Sequence, residues 1–149
     1  LEKDLDVVGD LELRLDASAT AVDTAWIVLL ADVAADGTET TVTQGWLRAG
    51  LRAVDDAASR PGAPVLPCTA PAVVPAGEVL HYRIPLVANA HRFRVGHRFR
   101  LVVCSDDQSD DLPVIMGFRH APVGTSSHNT VRSSSRLVVP ILSPPSEES

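Results

Sequence analysis

Residues Ala90–Cys104 read AHRFRVGHRFRLVVC, and this segment carries the clearest structural signal in the chain. In both arms, apolar or aromatic residues alternate with arginine, which is the period of two expected of half-buried β-strands. Gly96 separates the arms and supplies the backbone freedom of a tight turn. The arginines that share the polar face are Arg92, Arg94, Arg98 and Arg100. The segment predicts a β-hairpin with Phe93 and Phe99 in the core.

The composition is that of a single ordinary domain. At 149 residues, of which 45% are hydrophobic, the chain can bury a sizeable core without disulfides or metals. The net charge of −6 disfavours nucleic-acid binding, because phosphate recognition needs a basic surface. One lysine against twelve arginines indicates a GC-rich bacterial genome. We therefore expect one bacterial domain that does not bind nucleic acid.

The termini and the cysteines bear on the compartment. No apolar run approaches the length of a membrane span, and the N-terminus lacks the basic-then-apolar pattern of a signal peptide. Cys68 and Cys104 permit one disulfide, but Cys104 lies among apolar residues and is expected to be a buried free thiol. We expect a cytoplasmic protein without membrane contact, consisting of a domain over 1–142 and a flexible tail over 143–149.

Short runs of strand-forming residues recur along the whole chain. Besides Ala90–Cys104 they are Leu5–Val8, Leu11–Ala17, Trp26–Val33, Thr38–Val42, Trp46–Arg52, Val79–Leu86 and Ser135–Leu142. Asp36–Gly37 predicts a tight hairpin, Gly9–Asp10 a strand end, and Gly50 a bulge. The proline-rich stretch 53–75 predicts a crossover connection with one helical turn. About seven to nine short strands with long crossovers predict an all-β domain, a jelly-roll β-sandwich.

Two features of the chain invite a catalytic or metal-binding interpretation, and neither fits the chemistry. Gly124–His128, GTSSH, resembles the nucleophile motif G-x-S-x-G, but histidine replaces the last glycine and no strand–turn–helix context surrounds it. The five histidines show no HExxH, helical pairing or CxxC pattern. They are His81, His91, His97, His120 and His128. We expect no catalytic residue, no metal site and no cofactor.

The acidic loop DDQSDD is the one calcium candidate. Its carboxylates belong to Asp106, Asp107, Asp110 and Asp111. Hard cations favour clustered carboxylates, but this loop lacks the central glycine and terminal glutamate of a calcium-binding loop. A solvated acidic turn is the favoured interpretation, and calcium binding stays open.

The arginine strip and the two tryptophans bear on ligand binding. Single-stranded nucleic acid would need aromatic rings on the arginine face, whereas Phe93 and Phe99 lie on the other one. The strip fits a polar face that pairs with carboxylates of another domain.

Trp26 and Trp46 both occupy apolar contexts, so core packing is expected for both. The core assignment is weaker for Trp46, which follows Gly45.

Four blocks of the chain share the pattern of one family. They are the opening strands Leu5–Gly37 with Asp23–Thr24, the segment QGWLRAGLR at Gln44–Arg52, the stretch from Pro75–Glu78 (PAGE) through AHRFRVGHRFRLVV, and the closing SSSRLVVP at Ser133–Pro140. Together they resemble the C-terminal domain of the X-Pro dipeptidyl-peptidase family. This group also includes bacterial cocaine esterase, α-amino-acid ester hydrolases and some cephalosporin acylases.

The resemblance implies a jelly-roll domain of the galactose-binding-like kind, packed on an α/β-hydrolase domain that carries a Ser–Asp–His triad. No triad residue maps onto this chain. The implied function is that of a non-catalytic C-terminal module of a bacterial serine hydrolase, supporting domain packing and active-site shape. The implied partner is the catalytic domain of the same parent protein, and homo-oligomer formation stays open.

The chain departs from the family pattern at three places. Ala25 stands where an acidic residue is common, Cys104 replaces a usual serine, and the segment 106–122 follows a different pattern. The resemblance therefore implies a subgroup and no particular substrate. A free-standing carbohydrate-binding module is the alternative function, and a small β-scaffold metalloenzyme is a third.

Overall fold

A computed structural model describes residues 1–107, 120 and 126–142. Seven β-strands and one short 3-10 helix, Ala49–Leu51, make up its regular structure. The strands are β1 (Leu5–Ala19), β2 (Ala25–Val33), β3 (Glu39–Arg48), β4 (Leu80–Phe93), β5 (Arg98–Cys104), β6 (Asn129–Val131) and β7 (Arg136–Val138). No helix in the described ranges has the length and apolar character needed to cross a membrane.

The strands form one curled antiparallel sheet. Its order is β5-β2-β3-β4-β1-β6, and β7 also pairs with β1. The strands β3 and β4 pair at a single position, Gly45 opposite Leu86, so the sheet folds over at this junction into two halves. The predicted all-β sandwich is confirmed.

The core lies between the two halves of the sheet. Alternate residues of β1, β2 and β4 supply most of it, as the period of two in the sequence requires. The central members are Leu11, Leu13, Leu15, Trp26, Val28, Leu30, Tyr82 and Ile84. The rings of Trp26 and Tyr82 pack with centroids 5.5 Å apart, and Trp26 is 1% exposed. The core assignment of Trp26 is confirmed.

The two arms of Ala90–Cys104 are strands, but they do not form the predicted hairpin. The end of β4 pairs with β1, and β5 pairs with β2. Gly96 does form a tight turn between them, with a φ of 80° and the His97 amide donating to the Arg94 carbonyl at 3.0 Å. The turn therefore crosses from one half of the sheet to the other.

This geometry explains which apolar side chains of the segment are buried. The rings of Phe93 and Phe99 meet with centroids 4.3 Å apart, Phe93 fully buried and Phe99 partly buried against the core. Val95, which the alternation places on the same face as Phe93, lies in the turn and is 59% exposed, so that placement on the buried face is wrong. The alternation identified the core side chains of both arms and could not identify their partners.

Several element boundaries differ from the sequence expectation: β3 and β4 each continue through two predicted runs, and β7 is shorter than the predicted Ser135–Leu142. The runs on either side of Gly9–Asp10 form one strand, because a β-bulge at Gly9 lets β1 continue where a strand end was predicted. Gly50 lies in the 3-10 helix and not in a bulged strand. The helical turn predicted in 53–75 is a simple turn at 56–58, held by the Asp55 carboxylate.

The Asp36–Gly37 hairpin is confirmed. It joins β2 and β3, with the Ala34 amide donating to the Thr38 carbonyl at 2.9 Å and Gly37 at a φ of 89°. All nine residues of β2 are buried, as the continuous apolar run predicted.

Candidate functional site

The serine at the nucleophile position of GTSSH, Ser126, is exposed, and its neighbour Ser127 anchors the loop. The Ser127 hydroxyl accepts hydrogen bonds from the amides of Thr20 and Ala21, each at 3.2 Å, and donates to Asn129 Oδ1 at 2.8 Å. It thereby ties the β1–β2 connection to the start of β6. Gly124 and Thr125 lie outside the described residues. The arrangement fits a role of Ser127 in loop anchoring.

Four of the five histidines each contact one carboxylate, and the backbone amide of the fifth, His128, donates to Thr20 Oγ1 at 2.9 Å. His81 contacts Asp16, while His91 and His97 both contact Asp32. His120 contacts Asp107. Among the residues that the structure describes, no group of three or more His, Cys, Asp or Glu side chains is arranged to hold a metal ion.

Asp32 holds the turn at Gly96 against β2. One carboxylate oxygen accepts from His91 Nε2 and the other from His97 Nδ1, both at 2.9 Å. Asp32 is buried, and the two histidines flank the turn on the end of β4 and just before β5. We call this arrangement the Asp32 clamp, and its place fits a structural role.

We expect Asp32→Ala to destabilise the fold by about 3 kcal/mol, because hydrogen bonds to a charged group contribute about 1.5–3 kcal/mol each. Asp32→Asn is the matched control, since it retains one acceptor oxygen and should lose less. Urea unfolding at pH 7 measures both. An unchanged midpoint for Asp32→Ala would show that the clamp contributes nothing to stability.

Of the two described residues of the acidic loop, Asp106 is exposed and Asp107 is anchored. Asp107 is buried, and its carboxylate accepts from the backbone amide and the ring Nδ1 of His120, both at 2.8 Å. Burial by itself would raise the pKa of Asp107, but the His120 hydrogen bonds outweigh it and the pKa is lowered. The solvated interpretation is wrong for this residue, and Asp110 and Asp111 lie outside the described residues.

The arginine strip is largely neutralised within the chain. Arg92 pairs with Asp6 at 2.7 Å, Arg94 with Asp4 at 3.3 Å, and Arg100 with Glu39. The hydrogen bond from Arg92 lowers the pKa of Asp6. Arg98 forms no ion pair with any residue in the described ranges. The carboxylate partners predicted on another domain are therefore supplied, for three of the arginines, by this chain.

Trp46 lies outside the core, so its predicted core assignment is wrong. The bulge that leaves Val42 without a partner on β2 shifts the alternation of β3. Val42 and Leu47 therefore both belong to the core, while Trp46 lies on the opposite face and is half-buried. Its ring packs against His120 with centroids 5.1 Å apart.

Two cavities adjoin Trp46. The larger, about 420 Å³, is mainly apolar and is lined by Ala25, Ile27, Trp46, Leu47, Arg48, Leu51, Leu66, Cys68 and His120. The smaller, about 260 Å³, is lined by Gln44, Gly45, Trp46, Pro85, Leu86 and Val87. The smaller cavity lies at the junction where β3 and β4 meet. Trp46 therefore borders both cavities.

Both cysteines are free thiols, as expected for Cys104. Burial raises the pKa of the Cys104 thiol, which lies 3.7 Å from the Ile27 carbonyl. Cys68 is exposed, has a φ of 52° and lines the larger cavity.

The comparisons with known proteins decide the family. A model described as the X-Pro dipeptidyl-peptidase C-terminal non-catalytic domain matches residues 1–113. The chain belongs to this family. The description of the family as non-catalytic is compatible with the loop-anchoring role of Ser127 and with the carboxylate contacts of four of the histidines. The comparison with curated proteins gives no match.

Solved structures extend the likeness over nearly the whole non-catalytic domain. A CocE/NonD family hydrolase from Staphylococcus aureus matches with a TM-score of 0.84 and 20% identity, over 96% of this chain and 29% of that one. An α-amino acid ester hydrolase matches with a TM-score of 0.67 and 20% identity, over 95% and 24%. An aminopeptidase from a marine sediment Thaumarchaeota archaeon matches with a TM-score of 0.58 and 28% identity, over 70% and 16%.

The coverage figures show how the non-catalytic domain relates to these larger chains. It spans less than a third of the length of each of the three. At these identities the likeness shows the shared fold. The structural match to the CocE/NonD hydrolase covers 96% of the chain and therefore extends beyond the residues 1–113 of the family match.

Proposed function

We propose that this chain is the C-terminal module of a bacterial serine hydrolase of the dipeptidyl-peptidase, esterase or acylase type. It packs on the α/β-hydrolase catalytic domain of the same polypeptide and supports the shape of the active-site entrance. The proposal rests on the match to a non-catalytic C-terminal domain family and on the similarity to parts of hydrolase structures several times longer than this chain.

The finer features of the proposal come from the sequence. We assign the galactose-binding-like class of jelly roll to residues 1–142 and a tail to 143–149. The parent enzyme is placed in the cytoplasm, without nucleic acid or membrane as partners and without a cofactor in this module. The intrachain pairs of Arg92, Arg94 and Arg100 support the exclusion of nucleic acid, since they neutralise most of the arginine strip.

The test compares hydrolysis by the 149-residue chain and by the complete polypeptide that contains it. We expect no turnover of activated esters or X-Pro anilides by the chain alone, and turnover by the complete polypeptide. Ser126→Ala, at the nucleophile position of GTSSH, is the control in both, and it should leave each rate unchanged. Turnover by the chain alone that disappears in Ser126→Ala would overturn the proposal.

A carbohydrate-binding module is the second candidate, and the position of Trp46 outside the core favours it. Sugar sites stack rings on accessible aromatic side chains, and Trp46 borders two cavities. Titration of simple sugars with tryptophan fluorescence as the readout separates the two functions. A saturable change that is absent in Trp46→Leu would favour sugar binding.

A further inference from the structure

The sheet half formed by β7, β1 and β4 carries three arginines side by side on its outer face. Arg14 of β1 is in register with Arg136 of β7 on one side and with Arg83 of β4 on the other. The adjacent residues Leu13 and Leu137 pack in the core or against it, so the arginines lie on the face directed away from the core. Like charges directly opposite each other on neighbouring strands are destabilising unless other groups neutralise them. We call Arg136, Arg14 and Arg83 the arginine row.

The β4 end of the arginine row is paired and covered within the chain. The buried Glu12 carboxylate accepts from Arg83 at 2.7 Å, and the Asp56 carboxylate lies 3.7 Å from the Arg83 guanidinium. Arg83 also donates to the backbone carbonyl of Arg60 at 3.1 Å, so the connection between the 3-10 helix and β4 lies against this end. The β4 end therefore has no need of a partner from outside.

The β7 end of the row is open. Arg136 is exposed, and its guanidinium makes no hydrogen bond or ion pair with any residue that the structure describes. The carboxylate of Asp16 is held by other groups: hydrogen bonds from Ser134 and His81 are the main causes of its lowered pKa, and the attraction of Arg136 contributes less. Arg136 therefore has all of its donors available to a group from outside.

Arg14 adds a second accessible guanidinium on the strand next to Arg136. Its side chain is 49% exposed, and only its Nε is used, in the hydrogen bond to Glu12. A guanidinium is a planar fork of donors that binds a carboxylate through two hydrogen bonds. The two groups face each other across one strand spacing, about 5 Å. This end of the row fits carboxylate side chains on the surface of a protein partner.

We propose that Arg14 and Arg136, at the β7 end of the arginine row, dock on carboxylates of the catalytic domain of the same polypeptide. This inference rests on the proposed function and adds the location of one contact between the two domains. The CocE/NonD hydrolase contains the equivalent of 96% of this chain within a polypeptide of which it is only 29%, so a much larger body accompanies the same fold there. A tethered domain is held at a high effective concentration. The net charge of −6 disfavours nucleic acid and a second copy of the chain as the partner.

The arginines themselves are native probes of this contact, because phenylglyoxal modifies accessible guanidinium groups. We expect Arg136 to react at least about tenfold more slowly in the complete polypeptide than in the 149-residue chain, the slowing produced when only about a tenth of the molecules are undocked. Arg14 should be protected together with it. Peptide-resolved mass spectrometry measures the rate at each arginine. Arg98 is the matched control in the same sample, since it is exposed, forms no ion pair in the described part of the chain and lies on β5, at the far end of the strand order. Its rate should be the same in both polypeptides.

Two substitutions of Arg136 link the protection to its charge. Arg136→Gln should leave the urea unfolding midpoint of the 149-residue chain unchanged, because Arg136 has no ion-pair partner among the described residues. In the complete polypeptide the same variant should restore fast modification of Arg14. Arg136→Lys, which keeps the charge and loses the fork, should retain more of the protection of Arg14.

Three results would overturn the inference. The first is equal modification of Arg136 in the two polypeptides, or equal slowing of Arg136 and Arg98. The second is protection in the chain alone that grows with its concentration, which would identify a second copy as the partner. The third is protection of Arg136 in the chain alone by inorganic phosphate to the extent seen in the complete polypeptide, which would identify a site for a free anion.

The same experiment separates the two proposals. If the complete polypeptide hydrolyses esters and Arg136 is unprotected, the proposed function stands and the assigned contact is wrong. If the complete polypeptide has no hydrolytic activity, the proposed function fails, and the identity of the docking partner fails with it whatever the rate at Arg136.

Discussion

Gly45→Ala is expected to open the junction between the two halves of the sheet and to destabilise the fold by about 3 kcal/mol or more, the upper part of the range for overpacking. A Cβ atom at Gly45 would overlap the carbonyl oxygen of Pro85 and lie 2.9 Å from its carbonyl carbon and 3.0 Å from the Cα of Leu86. All of these are backbone atoms, so no side chain can rotate away. Since Gly45 opposite Leu86 is the one position at which β3 and β4 pair, the clash falls on the point where the sheet folds over.

Urea unfolding of the variant and of Gly50→Ala tests this result. Gly50 is the matched control, because its Cβ would meet the Asp23 carboxylate and the Ala72 carbonyl at 3.2–3.3 Å, where small shifts suffice. We expect Gly50→Ala to lower the free energy of unfolding much less than Gly45→Ala does. Equal unfolding midpoints for Gly45→Ala and the parent chain would mean that the two strands are not in this close contact.

Glu12→Ala is expected to lower the free energy of unfolding by about 3–5 kcal/mol, the range found when one partner of a buried ion pair is removed. The Glu12 side chain is 0% exposed, and its carboxylate accepts from Arg83 at 2.7 Å and also from Arg14. Removing it leaves the largely buried Arg83 guanidinium without its main partner. Asp6→Ala, which breaks the exposed pair with Arg92, is the control and should change stability little. Equal losses in the two variants would contradict the buried role of Glu12.

The Glu12 pair also makes the fold sensitive to acid. Burial would raise the pKa of Glu12, but the hydrogen bonds from Arg83 and Arg14 outweigh it, so the folded pKa lies below the ordinary value. A carboxyl group with a lowered folded pKa stabilises the fold above its unfolded pKa, at about pH 4, and loses that contribution as the pH falls through the folded pKa. Unfolding free energies measured between pH 6 and pH 2 should therefore fall less steeply in Glu12→Gln than in the parent chain. Parallel curves would contradict the assignment.

The strands could be predicted from the sequence because alternation is a local property. In Ala90–Cys104 the pattern identified both arms, the turn at Gly96, and Phe93 and Phe99 as core residues. The pairing of β4 with β1 and of β5 with β2 could not be predicted, since it depends on residues far along the chain. A tight turn between two strands is compatible with a hairpin and with a crossing between halves of a sheet.

The contacts of the candidate site could not be predicted from the sequence, because they also depend on residues far apart along the chain. His91 and Asp32 are 59 residues apart in sequence, so only the fold brings them together. The position of Trp46 depends on the bulge at Val42, which reverses the faces of β3 and leaves no clear mark in composition or spacing. The family resemblance was predictable because it rests on blocks of sequence, and it is confirmed.

The most direct test of the central claim is to locate the reactive serine of the complete polypeptide. A fluorophosphonate reagent labels activated serines covalently, and mass spectrometry of the digested protein identifies the labelled residue. The account predicts one labelled serine outside residues 1–149 and loss of esterase activity with its modification. Labelling of Ser126, Ser127 or any other serine within these 149 residues, with loss of activity, would contradict it.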